Sequence, residues 1–120
     1  MAGDFAGRIV VVSGGSRGIG YGIARAFAEQ SAQTVLASSS QEHLEQAAES
    51  IAAAGGTRPD ICIADLRGPD GAARVHDFVA NKHGRCDILV NSAGATRAGA
   101  FVDLAEDAWQ DGFADRKSVV

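Results

Sequence analysis

The sequence predicts an α/β protein built on a doubly wound parallel sheet, and three observations carry that prediction. Short β-branched runs alternate along the chain with stretches of helical apolar period. The apolar runs show no polar alternation, as befits strands covered on both faces. Fifteen glycines in 120 residues are about twice the usual share of roughly 7%. They gather at a few junctions, which points to special backbone geometry rather than to a flexible linker.

Ile9-Val10-Val11-Val12, ending in Ser13-Gly14-Gly15, reads as the first strand. In the helix that follows, Ile19, Ile23 and Phe27 lie four apart and are expected to form one buried stripe. Thr34-Val35-Leu36-Ala37 is the second strand, closed by Ser38-Ser39-Ser40. Leu44, Ala47, Ala48 and Ile51 follow the i, i+3, i+4, i+7 pattern of a second helix, stopped by Gly55-Gly56. Ile61-Cys62-Ile63-Ala64 is the third strand and ends at Asp65. Pro69 suits the first turn of a third helix, where its missing N–H costs nothing. Ala72, Val75 and Val79 form that helix's inner face, and Gly84 ends it. Ile88-Leu89-Val90 is the fourth strand, followed by Asn91-Ser92-Ala93-Gly94. Right-handed crossovers between such units make the sheet parallel, and for a doubly wound, Rossmann-type sheet the expected order is 3-2-1-4, with the glycine loop, Asp65 and Asn91 at its carboxyl edge.

Composition excludes several classes. Apolar residues make up 46% and charged residues 22%, and the net charge is −4 with Lys and Arg scattered, so no nucleic-acid partner is expected. Met1-Ala2-Gly3-Asp4 has no positive n-region, and no run approaches the roughly 20 apolar residues of a membrane span. A cytoplasmic protein away from membranes is the expectation. Cys62 and Cys86 lack a CxxC spacing and read as reduced, inert thiols. His43, His76 and His83 read as surface residues, and no metal site is expected.

The segment Ser13-Gly14-Gly15-Ser16-Arg17-Gly18-Ile19-Gly20 joins the first strand to the first helix. Glycine lets the chain turn tightly and lets backbone approach a ligand, while a helix N-terminus offers free N–H groups and a positive dipole end to a diphosphate. The GxGxxG fingerprint is absent, since Ile23 stands where its third glycine would fall. GxxxxGK[ST] is absent as well. What stands here is Gly14-xxx-Gly18-x-Gly20, and it resembles the TGxxxGxG loop of the short-chain dehydrogenase/reductase family, with Ser13 for the usual threonine. Asn91-Ser92-Ala93-Gly94 resembles the family's NNAG, with one substitution, and Asp65-Leu66 matches its adenine-contacting pair. The resemblance runs from about Phe5 to Ala114.

That resemblance implies a hydride-transferring oxidoreductase acting on a small alcohol or carbonyl substrate, in a homo-oligomeric parent. It implies that Gly14, Ser16, Gly18 and Gly20 shape the diphosphate site, with the backbone N–H of Ile19 facing a phosphate. Asn91 would brace the sheet through its amide, and Ala93 and Gly94 would line the ribose beside the nicotinamide. At the end of the second strand Ser38 and Ser39 stand where readers of NAD carry an acid. Arg17 is placed as in relatives that prefer NADP, so NADP is expected over NAD. The family's catalytic serine and Tyr-xxx-Lys pair have no counterpart here. The only tyrosine, Tyr21, adjoins the glycine loop and has Arg25 four residues on.

Residues 1–114 are therefore expected to be the first part of one dinucleotide-binding domain, cut short. Trp109 and Phe113 begin a helical stripe that fails at Arg116 and Lys117. Residues 115–120 are read as a tail foreign to the family, left by truncation or a sequencing artefact. On this reading the chain has four strands only, an open apolar edge at the fourth, poor stability and no turnover. The alternative is a non-catalytic dinucleotide-binding module, complete at this length.

Overall fold

The computed structural model describes residues 3–14, 18–67, 69–92 and 118–119. Strand β1 (Ile9–Ser13) leads into helix α1 (Gly18–Glu29), then β2 (Gln33–Ser38), α2 (Gln41–Ala53), β3 (Asp60–Ile63), α3 (Pro69–Lys82) and β4 (Ile88–Asn91). A two-residue strand, β5 (Ser118–Val119), completes the described elements. The sheet is parallel, in the order β3-β2-β1-β4-β5. The expected 3-2-1-4 order is present, and the ends of β1, β2 and β4 align through Ser13 with Ala37 and Asn91.

The sheet is wound on both faces because successive side chains of a strand point to opposite sides. Val10, Val12 and Leu36 pack with Ala24, Ala28, Leu44 and Ile51 of α1 and α2. Ile9, Val11, Val35 and Cys62 pack with Ala72, Val75 and Val79 of α3 on the other face. The second and third helices bury the residues their periodicity named. Ser40 caps α2 by accepting a hydrogen bond from the His43 N–H at 3.2 Å. At the far end of α3, Gly84 at φ 75° donates to the carbonyls of Val79 and Ala80.

The first helix departs from expectation. Its buried residues are Gly20, Ala24 and Ala28, while Ile19 is 80% exposed and Ile23 and Phe27 are only half-buried. Small side chains win the inner face because they let the helix axis approach the sheet closely. Phe27 instead meets Phe5 edge to face, with ring centroids 5.0 Å apart, and tethers the N-terminal segment.

The open edge expected at the fourth strand is also corrected. Ser118 and Val119 pair with Ile88 and Leu89, so a fifth strand is added to the expected four. An edge with unpaired N–H and C=O groups accepts any extended segment that reaches it, and a β-branched valine suits the role. Val90, expected to lose its covering, is 2% exposed. The expected stripe of Trp109 and Phe113 lies outside the described residues, as does most of the 115–120 tail.

Candidate functional site

The carboxyl ends of β1 and β4 are clasped together by hydroxyls. Ser13 is fully buried, and its Oγ donates to Asn91 Oδ1 at 2.9 Å while lying 3.3 Å from the Val90 carbonyl. The side-chain amide of Asn91 thus ties the two strands. Ser92 answers from β4. Its Oγ donates to the Ser13 carbonyl at 2.7 Å, its backbone N–H reaches the same oxygen at 3.1 Å, and its Oγ lies 3.5 Å from the Gly14 carbonyl.

This clasp explains the glycines. Gly14 and Gly18 adopt φ of 72° and 62°, a region that L side chains rarely enter. A Cβ on Gly20 would collide with Ser92 Oγ and the Gly14 carbonyl, so only glycine lets the first turn of α1 press against both strand ends. A Cβ on Gly18 would meet none of the described residues within 4 Å. The start of α1 is therefore packed on its inner side and open on its outer side, and its first turn carries no acidic residue. That arrangement suits an anion at the helix N-terminus.

Beside it lies a recess of about 170 Å³ lined by Gly14, Ser38, Ser39, Asp65, Leu66 and Arg67. A larger groove of about 910 Å³ runs along α2 past Glu42, Glu45, Glu49 and Arg58, away from the strand ends. Two backbone bonds build the recess: the Gly14 N–H donates to the Ala37 carbonyl at 2.7 Å, and the Ala64 N–H to the Ser38 carbonyl at 2.8 Å. The Ser38 hydroxyl accepts from the Ser40 N–H at 3.3 Å, and Leu66 closes the floor as part of the α3-side core. On the rim, Asp65 Oδ1 accepts from the Arg67 N–H at 3.1 Å and from Arg67 Nε at 2.8 Å, and Oδ2 accepts from Nη2 at 2.8 Å. Hydrogen bonding to Asp65, and then its charge, hold the Arg67 guanidinium above its ordinary pKa. Burial pushes the Cys62 thiol up, and the charge of Arg74 opposes the shift.

Gly14, Gly18, Ile19, Gly20, Ser38, Ser39, Asp65, Leu66 and Asn91 all fall at strand carboxyl ends, in the loops that follow them, or in the first turn of α1. Ser16, Arg17, Ala93 and Gly94 lie outside the described residues. The sequence reading missed three residues. Ser92 is the departure from NNAG, and it is the hydroxyl of that departure that makes the bonds. Gly71 in α3 has no room for a Cβ because the Asp65 carbonyl faces it. Arg67 gave a signal in the Asp-x-Arg spacing, which lets a carboxylate take its neighbour's N–H and guanidinium together. The histidines are less exposed than expected. His83 is 14% exposed and its Nε2 lies 2.8 Å from Asp60 Oδ2, at the opposite edge of the sheet. Cys62 and Cys86 are buried free thiols, as expected. Among the described residues no three metal-ligating side chains come together, and no helix is long and apolar enough to cross a membrane.

The profile of the short chain dehydrogenase family matches residues 8–114. The oxidoreductase UcpA of Escherichia coli K12 is 38% identical over 105 residues, covering 88% of this chain and 39% of that protein. The 3-oxoacyl-acyl-carrier-protein reductase FabG of Chlamydia muridarum is 34% identical over 103 residues, covering 85% of this chain and 41% of that protein. The chain thus spans about two fifths of the length of these curated relatives. Among solved structures, a metagenomic short-chain oxidoreductase in complex with NADP superposes with a TM-score of 0.84 at 32% identity, covering 96% of this chain and 61% of that one. The L-sorbose reductase of Gluconobacter frateurii, complexed with NADPH and L-sorbose, gives 0.79 at 28% identity, covering 90% and 48%.

Proposed function

Since the chain belongs to the short-chain dehydrogenase family, we propose that it is the dinucleotide-binding part of an oxidoreductase that moves hydride between a nicotinamide cofactor and a small alcohol or carbonyl compound. The observation that carries this is the Ser13–Asn91–Ser92 clasp, which seats Gly20 against two strand ends and leaves the outer side of the α1 N-terminus open. Gly14, Gly18, Gly20 and the backbone N–H of Ile19 hold the diphosphate, with Ser16 beside them. Ala93 and Gly94 line the nicotinamide ribose. The recess between β2 and β3 takes the adenosine, with Asp65 and Leu66 toward the base and Ser38 and Ser39 toward its ribose. When bound, the cofactor would supply the hydride, and the chain's own groups would position it.

The cofactor is NADP(H) in preference to NAD(H). Ser38 and Ser39 present hydroxyls in place of the carboxylate that would hold a free 2′-hydroxyl and repel a phosphate. Arg17 adds a guanidinium inside the loop. Residues 1–114 form the first part of the domain, and 115–120 are foreign to the family. The parent is a soluble cytoplasmic homo-oligomer that binds no nucleic acid. This chain carries neither the serine nor the Tyr-xxx-Lys of the family, so no side chain here is set to exchange a proton with a carbonyl oxygen.

The test is NADPH fluorescence titrated against the 120-residue chain. Saturable enhancement is expected, with no NADPH oxidation when aldehydes or ketones are added. Arg17→Ala is expected to weaken NADP(H) more than NAD(H), by about 1–3 kcal/mol. A folded chain that leaves NADPH fluorescence unchanged defeats the binding role. Steady oxidation of NADPH would show that the chain holds its own proton donor and is a whole enzyme.

A further inference from the structure

Ser39 leaves the end of β2 without a basic side chain, yet the recess has one on its opposite wall. Arg67 lines the same recess of about 170 Å³ as Ser38 and Ser39, and it comes from the loop after β3. Its guanidinium is held flat against Asp65, which takes its Nε and Nη2 at 2.8 Å each. A guanidinium carries five N–H donors, so donors beyond those two can still meet a ligand. The side chains of Arg67 and Asp65 are 71% and 53% exposed, so both are open to one.

The pair also decides the charge of the recess. Asp65 alone would place a carboxylate beside whatever enters next to Ser38 and Ser39, and a phosphate there would be repelled. With Arg67 clamped onto it the two charges cancel, and the guanidinium keeps donors beyond the two that Asp65 takes. The bidentate geometry fixes the guanidinium plane, so little side-chain freedom is lost on meeting an anion.

We propose that Arg67, positioned by Asp65, is a specificity-determining residue of the cofactor site: it makes the recess accept a 2′-phosphate on the adenosine ribose, in the role that a basic residue at the end of β2 would otherwise fill. This rests on the reading of the recess as the adenosine site.

The test compares two probes, adenosine 2′,5′-bisphosphate and 5′-AMP, titrated calorimetrically into the 120-residue chain, with far-UV circular dichroism confirming that each variant keeps its helices. Arg67 is exposed, so its replacement leaves the packing intact. The wild-type chain is expected to favour the bisphosphate by about tenfold, the worth of a charge-assisted hydrogen bond. Arg67→Ala cuts that preference several-fold, leaving the share that Arg17 supplies, and leaves 5′-AMP binding as it was, and Arg67→Lys restores part of it. Asp65→Asn weakens both probes through the base but raises the ratio in favour of the bisphosphate, because the asparagine oxygen can still accept from the guanidinium while the opposing negative charge is gone. If Arg67→Ala lowers both probes equally, or neither, or if Asp65→Asn lowers the ratio, the role given to Arg67 is wrong and the adenosine site stands. If neither probe binds the folded wild-type chain, the adenosine site itself is wrong.

Discussion

The two edges of the sheet are closed by different chemistry. At the amino edge the ties are charged. Asp87 accepts from the Ile9 N–H at 2.7 Å and from Arg85 Nε at 3.1 Å, while Arg85 Nη2 reaches the Gly7 carbonyl at 2.6 Å. A second carboxylate there, Asp60, meets Lys82 Nζ at 2.9 Å and His83 Nε2 at 2.8 Å. At the carboxyl edge the clasp between β1 and β4 is neutral: the hydroxyls of Ser13 and Ser92 and the amide of Asn91. A charged clasp would add its own field to the place proposed for a diphosphate. Hydroxyls and an amide join the strands without one, so the helix dipole and the rim residues set the potential there.

The largest effect that would break this division lies at the amino edge. Asp87→Ala leaves the Ile9 N–H buried without its acceptor and Arg85 without its carboxylate. Losing a buried pair costs about 3–5 kcal/mol, and the lower figure applies because Arg85 and Arg8, whose Nη1 lies 3.9 Å from Asp87 Oδ1, are 43% and 42% exposed. A loss near 3 kcal/mol in urea unfolding is expected, with NADPH affinity of the folded fraction unchanged. Affinity that falls in step with stability would mean that the two edges are not separate. The next effect reverses the pattern. Gly20→Ala forces a Cβ into the Ser92 hydroxyl and the Gly14 carbonyl. Backbone cannot swing aside as a side chain can, so about 2 kcal/mol of overpacking is expected, together with loss of NADPH binding. A variant that binds NADPH normally would show that the close contact does not shape the site.

The amino acid order made the carboxyl edge far more legible than the amino edge. Strand-terminal glycines and polar residues stand out against apolar runs, because alternation of β and α leaves few other places for them. Gly14, Gly18, Asp65 and Asn91 could therefore be placed at strand ends from the alternation, and the family resemblance singled them out there. The charged ties were invisible, since Asp87 and Arg85 look like any solvated pair until the fold brings Gly7 and Ile9 beside them, 78 residues away along the chain. Helix α1 misled for a different reason. Ile19, Ile23 and Phe27 have perfect helical spacing, but Gly20, Ala24 and Ala28 have it too, and the demand for close approach at the loop selects the smaller set. Hydrophobicity ranks the two faces one way and distance of approach ranks them the other.

A smaller effect sharpens the view of the clasp itself. Ser13→Ala removes the only donor between β1 and Asn91 Oδ1 that the described residues provide from β1. Because the bond is neutral, the cost should be about 1 kcal/mol, well below that of Asp87→Ala. Restoring threonine at this place keeps the hydroxyl, and Ser13→Thr should fall within about 0.5 kcal/mol of the wild type unless the added methyl crowds the buried site. A Ser13→Ala loss as large as the Asp87 loss, measured in the same urea series, would erase the distinction between a charged edge and a neutral one.

The smallest effect concerns the ground between the edges. Cys62 sits inside β3, 4% exposed, where desolvation raises its pKa and Arg74 partly offsets the rise. The sign follows from which state holds the proton. In the unfolded chain the thiol ionises near its ordinary 9.0, whereas in the native chain it keeps its proton to higher pH. Its contribution to stability is therefore fully present below 9.0 and is lost as pH rises from there through the raised native value. Urea midpoints taken at pH 7.5, 9 and 10 should fall across the upper pair in the wild type and fall less in Cys62→Ala. Arg74→Ala, which strips away the charge opposing the shift, should steepen the wild-type fall. If the slope above pH 9 is identical in all three proteins, the alkaline loss belongs to other groups, and the interior of the sheet plays no part in it.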